Sequence, residues 1–192
     1  KYLRWGVEPV TFQLYSSDRR QEYIDEVCDY CYKLGCRESQ VKVVVGLCDE
    51  FMMNAIYDAP RNPDGTPKYA HLNRRERIEL EPYESATFKF ASDGEMLAIS
   101  VEDPFGAIEK NKVLGYLGKC FERGERQIDD KSGGAGLGLY FIWKSVGQFI
   151  INVDPGVRTE FIGLINLNLS MKEFKTLNRS FHFFNTSHQN KF

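Results

Sequence analysis

The chain has 192 residues, 42% hydrophobic and 14% aromatic, enough to bury one sizeable core in a single domain. A net charge of −2 leaves no electrostatic footprint for nucleic acid or an anionic membrane as partner. No apolar stretch approaches the roughly 20 residues of a membrane span and no signal peptide is visible, so a cytoplasmic setting is expected.

In chain order, residues 10–15 read as a short strand and 18–34 as a helix. That helix carries an apolar stripe of Tyr23, Val27, Tyr30, Cys31 and Leu34, with Gly35 as its stop. The pair Cys28-x-x-Cys31 falls inside it, with no second pair or histidine nearby. Together with Cys36, Cys48 and Cys120 it is expected to remain reduced, mostly as buried thiols.

A second helix is predicted over 40–57, apolar at 41, 44, 45, 48, 51, 52, 55 and 56, with Ser39 as its N-cap. Glu50, Asn54 and Asp58 recur every four residues and so project from one face. A carboxylate can orient or deprotonate an attacking hydroxyl, and an amide oxygen can ligate a hard cation such as Mg²⁺. The plainer reading is a helix with polar residues on its wet side. Residues 60–77 follow as a proline- and cation-rich insertion. Its Arg74, Arg75 and Arg77 could meet a partner's acidic face, or the segment is a solvated loop.

Residues 87–91 and 96–101 alternate as two strands joined by the Asp93-Gly94 turn. Asp103 ends the second, where its carboxylate can accept a hydrogen bond from the exocyclic amine of a base. Pro104 and Gly106 then break the strand, as they would in a plain Asp-Pro turn.

Residues 133–139 read Gly-Gly-Ala-Gly-Leu-Gly-Leu and lead into the apolar run 140–146. Glycines let backbone approach a ligand, and a helix starting there offers free N–H groups to a phosphate. Leu137 and Leu139 would anchor that helix in the core. The loop is not a P-loop, because Leu139-Tyr140 follow Gly138 where Lys-Ser/Thr is required. Nor does a strand precede it, as a dinucleotide fold demands.

Further on, Arg158-Thr159-Glu160-Phe161 opens a strand-like run over 162–169. In the tail, Phe174, Leu177 and Phe181 match one face of a short helix, expected to dock on its own domain. His71, His182 and His188 fall in loop-like or tail sequence and read as surface residues.

Four of these segments, in this order and spacing, resemble the nucleotide-binding boxes of the GHKL (Bergerat-fold) ATPase superfamily. Glu50-x-x-x-Asn54-Ala55 is similar to the N box, and Asp103-x-x-Gly106 to the first glycine box. Gly134-Ala-Gly136-Leu-Gly138-Leu139 is similar to the second, and Arg158-Thr159-Glu160-Phe161 to the closing strand. The resemblance spans about residues 10–169. It implies an α+β two-layer sandwich, a mixed and largely antiparallel sheet with helices on one face.

What the family implies carries over by position. Glu50 is the general base, and Asn54 the Mg²⁺ ligand, with Asp58 beside it. Asp103 reads the adenine amine with Thr159 assisting, while Gly106 and Ile108 flank the base. Gly134, Gly136, Leu137 and Gly138 hold the phosphates of ATP. A mobile lid would cover 109–132, with Arg123, Arg126 and Lys131 as candidate phosphate contacts. The domain would run over 1–170, with 171–192 as a tail.

Two positions depart from the pattern. Phe105 and Ala107 replace glycines of the first box, and Asp58-Ala59 stands where one branch often has His-Ala. The order of the N-terminal elements is similar to that of anti-sigma-factor serine kinases, which implies Mg·ATP-dependent phosphorylation of a small regulatory partner (anti-anti-sigma-like or sigma-factor-like). A homodimer stays open. Phe105 and Ala107 favour an alternative, a non-catalytic partner-binding switch. A weaker one is the catalytic fragment of a sensor histidine kinase, since Lys1 leaves room for an upstream domain.

Overall fold

The structure, a computed structural model, describes residues 2–123 and 135–186, and their side chains other than those of 119–123 and 135–137. Six strands form one sheet: β1 (Val10–Leu14), β2 (Ala86–Ser92), β3 (Met96–Asp103), β4 (Gln148–Asp154), β5 (Arg158–Asn166) and β6 (Ser180–Asn185), in the order β1-β2-β3-β5-β4-β6. Every pairing is antiparallel except β4 with β6. The mixed, largely antiparallel α+β architecture is therefore the one expected. The β2–β3 hairpin turns at Gly94, whose φ of +90° explains the glycine.

Period-2 alternation sends Leu97, Ile99 and Val101 of β3, and Phe149, Ile151 and Val153 of β4, to one face, where the helices bury them. Above them lie α1 (Arg20–Lys33), α2 (Glu38–Met53) and α4 (Ala135–Ser145). A Cβ on Gly163 of β5 would come within 2.8 Å of Val146 Cγ1 and 3.0 Å of Leu47 Cδ2. The missing side chain at 163 is thus what lets the helical layer settle onto the middle of the sheet. On the opposite face Ile150, Ile162 and Leu164 form a smaller apolar cluster.

The helices differ from expectation in three places. α2 is capped at Arg37 rather than Ser39, because the Gln40 side chain turns back to accept the Arg37 N–H at 2.9 Å. At its other end the helix widens into a π-turn over Asn54–Asp58, closed by Ala59 N–H to Asn54 O at 2.8 Å. Residues 110–123 of the expected mobile lid are instead a helix, α3 (Lys110–Arg123), pinned by buried Val113 and Leu117. The rest of that segment lies outside the described residues, as do the side chains of Arg123, Arg126 and Lys131.

The tail also departs from a single helical face. α5 (Met171–Thr176) buries Phe174, but Phe181 lies on β6 and packs its ring against Phe149, centroids 5.6 Å apart. Cys31 and Cys48 are buried, Cys28 and Cys36 are half-buried, and all four are free thiols. Among the described residues no helix is long and apolar enough to cross a membrane.

Candidate functional site

A cavity of about 310 Å³ opens between the end of β3, the end of α2 and the insertion after it. Antiparallel register builds its floor. Asp103 of β3 pairs directly with Thr159 of β5, and Val101 with Phe161, and all four side chains line the cavity. Thr159 is buried. Asp103 receives the Phe105 N–H at 3.0 Å on its Oδ1, so the Asp-Pro-Phe-Gly turn folds back onto its own carboxylate.

No cationic side chain makes an ion pair with Asp103 among the described residues. Burial therefore dominates and pushes its carboxyl up to about 7, against the lowering influence of the Phe105 N–H and of Arg61. A half-buried carboxylate at the end of an apolar slot, with its charge poorly compensated, can accept a hydrogen bond from a donor placed in that slot.

Phe105 is absent from the cavity wall, whereas Ala107 and Ile108 line it. The substitution at 105 thus does not crowd the slot. Gly106 has φ +58°, and a Cβ there would lie 2.1 Å from Asp154 O. Its role is to let the turn press against the β4–β5 hairpin. It supports Asp103 rather than facing a ligand.

The opposite wall comes from α2 and its π-turn. Asn54 and Asp58 both line the cavity. Asn54 is buried, and its Nδ2 has no hydrogen-bond partner. Unsatisfied buried amides are rare in folded proteins and concentrate where a ligand completes them. Which end of the amide faces the cavity is a matter of rotation about χ2, so its oxygen could ligate a cation.

Glu50 sits one turn back, outside the cavity lining. A Cβ on Gly138 would approach its Oε2 to 2.5 Å, so the glycine at the start of α4 is what admits this carboxylate. Burial raises the carboxyls of both Glu50 and Asp58, and Arg74 opposes the rise at each. Gly136 and Leu137 lie in the first turn of α4, with the Leu137 side chain not described, and Leu139 is buried. Gly134 lies outside the described residues.

The insertion is more than a solvated loop. Arg74 turns inward, its Nη2 3.0 Å from Asp58 Oδ2 and its Nη1 3.5 Å from Glu50 Oε2. Tyr57 O–H holds the backbone beside it, donating to Glu76 O at 2.6 Å and reaching Arg74 O at 3.2 Å. Lys68 Nζ meets the fully buried Glu84 at 2.6 Å, with Tyr69 O–H on the same carboxylate. Arg61, Pro67 and Ala70 complete the cavity wall. Linear spacing gives no hint of these contacts. The one available signal is a dense run of cations, Arg74-Arg75-Glu76-Arg77, close in sequence to a helix face bearing two acids.

The donor set fits an adenine nucleotide with a divalent cation. An unpaired carboxylate closes one end, an unsatisfied buried amide lies along the wall, and a glycine admits an acid at the start of a helix. Among the described residues no group of three or more acidic, histidine or cysteine side chains forms a metal cluster without such a ligand. A cation would thus need oxygens of the ligand itself to fill its coordination shell.

No protein-family model matches the chain, and no curated protein does. Among solved structures it is similar to a chain in the crystal structure of the SiaB–SiaC complex from Pseudomonas aeruginosa, with 14% identity and a TM-score of 0.56. The match covers 81% of this chain and 88% of that one. At that identity the likeness is one of fold, and it agrees with the mixed sheet and its helical layer.

Proposed function

We propose that this chain binds Mg·ATP in the cavity and phosphorylates a serine or threonine of a small regulatory protein, as an anti-sigma-factor-type kinase. The observation that carries the reading is the convergence of Asp103, Thr159, Asn54 and Asp58 on one cavity of about 310 Å³. The resemblance of the four sequence boxes supports the same assignment. The fold likeness to a chain of the SiaB–SiaC complex supports a protein partner, since that chain was solved in complex with another protein.

Bound Mg·ATP would supply the phosphoryl group and the neutralising charge. Asp103, ionised, accepts the amine of the base, and buried Thr159 directly across the sheet lines the same end. Asn54 offers its amide oxygen to the cation. Glu50 takes the proton of the attacking hydroxyl, and burial raises its basicity above that of a free carboxylate. Arg74 keeps Glu50 and Asp58 in place. The side chains of Phe161 and Val101 keep water from the base.

A second reading, a non-catalytic switch, is favoured by the engagement of Glu50 with Arg74 at 3.5 Å, which opposes its action as a base. Calorimetric titration of Mg·ATP into the protein and into Asp103→Asn separates binding from none. We expect micromolar-range binding, lost in the variant. Glu50→Ala should keep that binding within about threefold and abolish transfer to the partner. Binding retained with no transfer in either protein would favour the switch; no binding in the unaltered protein would sink the kinase.

A further inference from the structure

The insertion delivers two arginines to the site, and they are neutralised differently. Arg74 sits between two carboxylates. Arg61 lines the cavity, but its hydrogen bonds go only to backbone carbonyls. Its Nη1 donates to Asp58 O at 2.6 Å and to Pro60 O at 3.2 Å. Asp58 O ends the π-turn and Pro60 O lies just beyond it, and carbonyls at a helix C-terminal end attract a cation. The two carbonyls hold the guanidinium by one of its nitrogens, and Nε and Nη2 are donors with no acceptor among the described residues.

Arg61 lines the same cavity as Asp58 and Asp103. Its charge holds down the carboxyls of both Asp58 and Asp103, against the burial that raises each. It is tied to Pro67 across a short antiparallel bridge, and Lys68 N–H closes onto Pro60 O at 2.9 Å. The side chain is therefore presented from a braced turn. A cation held by carbonyls, with spare donors and no carboxylate of its own, is built to meet an anion.

We propose that Arg61 is the ligand contact that recognises the phosphate nearest the nucleoside, so that the site selects nucleotides over nucleosides. This rests on the nucleotide reading above. Asp103 recognises the base, and Arg61, in the same cavity, recognises the first charge beyond the sugar. The energetic role of Arg61 therefore begins with AMP and adds little more for ATP.

The test is a calorimetric titration of adenosine, AMP and Mg·ATP into the unaltered protein, Arg61→Gln and Arg61→Lys, with thermal unfolding as a check on the fold. Loss of a charge-assisted contact should weaken AMP and ATP by roughly tenfold to a hundredfold in Arg61→Gln, with adenosine within about twofold. A role limited to capping the π-turn would weaken all three ligands alike, with a lower melting temperature, and would overturn the proposal. So would no change in any ligand, or equal affinities for adenosine and AMP in the unaltered protein. If the unaltered protein binds none of the three, the nucleotide reading falls and this inference with it. Should Arg61→Gln not fold, Arg61→Lys decides: its AMP-to-adenosine affinity ratio should drop by about threefold or more, because an ammonium cannot reproduce the planar fork.

Discussion

The two walls of the cavity treat their acidic residues in opposite ways. On the strand wall, Asp103 is half-buried, meets the Phe105 N–H and has no ion pair among the described residues, and its carboxyl is pushed up to about 7. On the helix-and-loop side the acids at and behind the wall have cations: Asp58 and Glu50 share Arg74, Glu109 has Lys112, and Glu84 has Lys68. An unpaired buried carboxylate costs stability, whereas a paired one holds a loop in place. The strand wall therefore holds a carboxylate whose charge the fold leaves poorly compensated. The loop wall uses its charges to hold itself together.

Removing a charge should accordingly have opposite signs on the two walls. The folded-state carboxyl of Asp103 lies near 7 and the unfolded one near 3.8, so the folded protein binds its proton more tightly. Stability is then greatest below the unfolded value and is lost as pH rises from about 4 through 7. Asp103→Asn removes that loss. It should raise unfolding stability at pH 8 by on the order of 2–4 kcal/mol and flatten the pH dependence between 5 and 8, while abolishing nucleotide binding. Melting curves across that range check it, and a variant less stable than the parent at pH 8 breaks the comparison. In the unaltered protein, affinity for an amine-bearing base should climb between pH 6 and 8, as Asp103 ionises.

Lys68→Ala tests the other wall. Glu84 would keep only Tyr69 O–H and the Glu81 N–H around a fully buried carboxylate. We expect a loss of about 2–3 kcal/mol in urea unfolding, toward the lower end for a broken buried pair because Lys68 is partly exposed. Adding Glu84→Gln should recover more than half of it. A loss unrelieved by that second change would mean that packing, not charge, anchors the insertion.

The smallest stability effect is expected at Gly138→Ala. The new methyl meets the mobile end of Glu50 rather than backbone, and alanine favours the helix, so unfolding should shift by less than about 1 kcal/mol. The displaced carboxylate should nonetheless lower phosphoryl transfer by about a hundredfold, the scale of a 1 Å misplacement at a reacting centre. Transfer at the parental rate would remove Glu50 from the chemistry.

How much of this was legible in the sequence follows from the range of each interaction. Local periodicity located β1, α1, α2 and the β2–β3 hairpin to within a few residues, since those depend on side-chain alternation and turn chemistry. Asp103, Thr159, Asn54 and Asp58 line one cavity, and the register of β3 with β5 explains why residues 56 positions apart converge. The π-turn at Asn54–Asp58 left no mark in Asn-Ala-Ile-Tyr-Asp, because a single widened turn is set by packing rather than propensity. Segment 110–123 read as a lid from its polarity, yet Val113 and Leu117 at a spacing of four suffice to seat it as a helix. Arg61 leaves no mark in the sequence, and Arg74, which reads there as a cation for a partner's acidic face, meets Asp58 and Glu50 of its own chain, because an arginine's target lies wherever the loop folds and composition does not encode that.

The parallel strand β6 has a consequence for how the protein behaves in a crowded solution. β4 holds Phe149, Ile150, Ile151 and Val153, all buried, and β6 lies along its outer side from Ser180 to Asn185. Stripped of that cover, β4 would present an unpaired, β-branched apolar edge, the kind of template on which further strands stack into fibrils. β6 itself is short and carries polar side chains at Ser180, His182 and Asn185 beside the exposed ring of Phe184. The last strand is thus a guard rail: by pairing along β4 it takes that adhesive edge out of circulation.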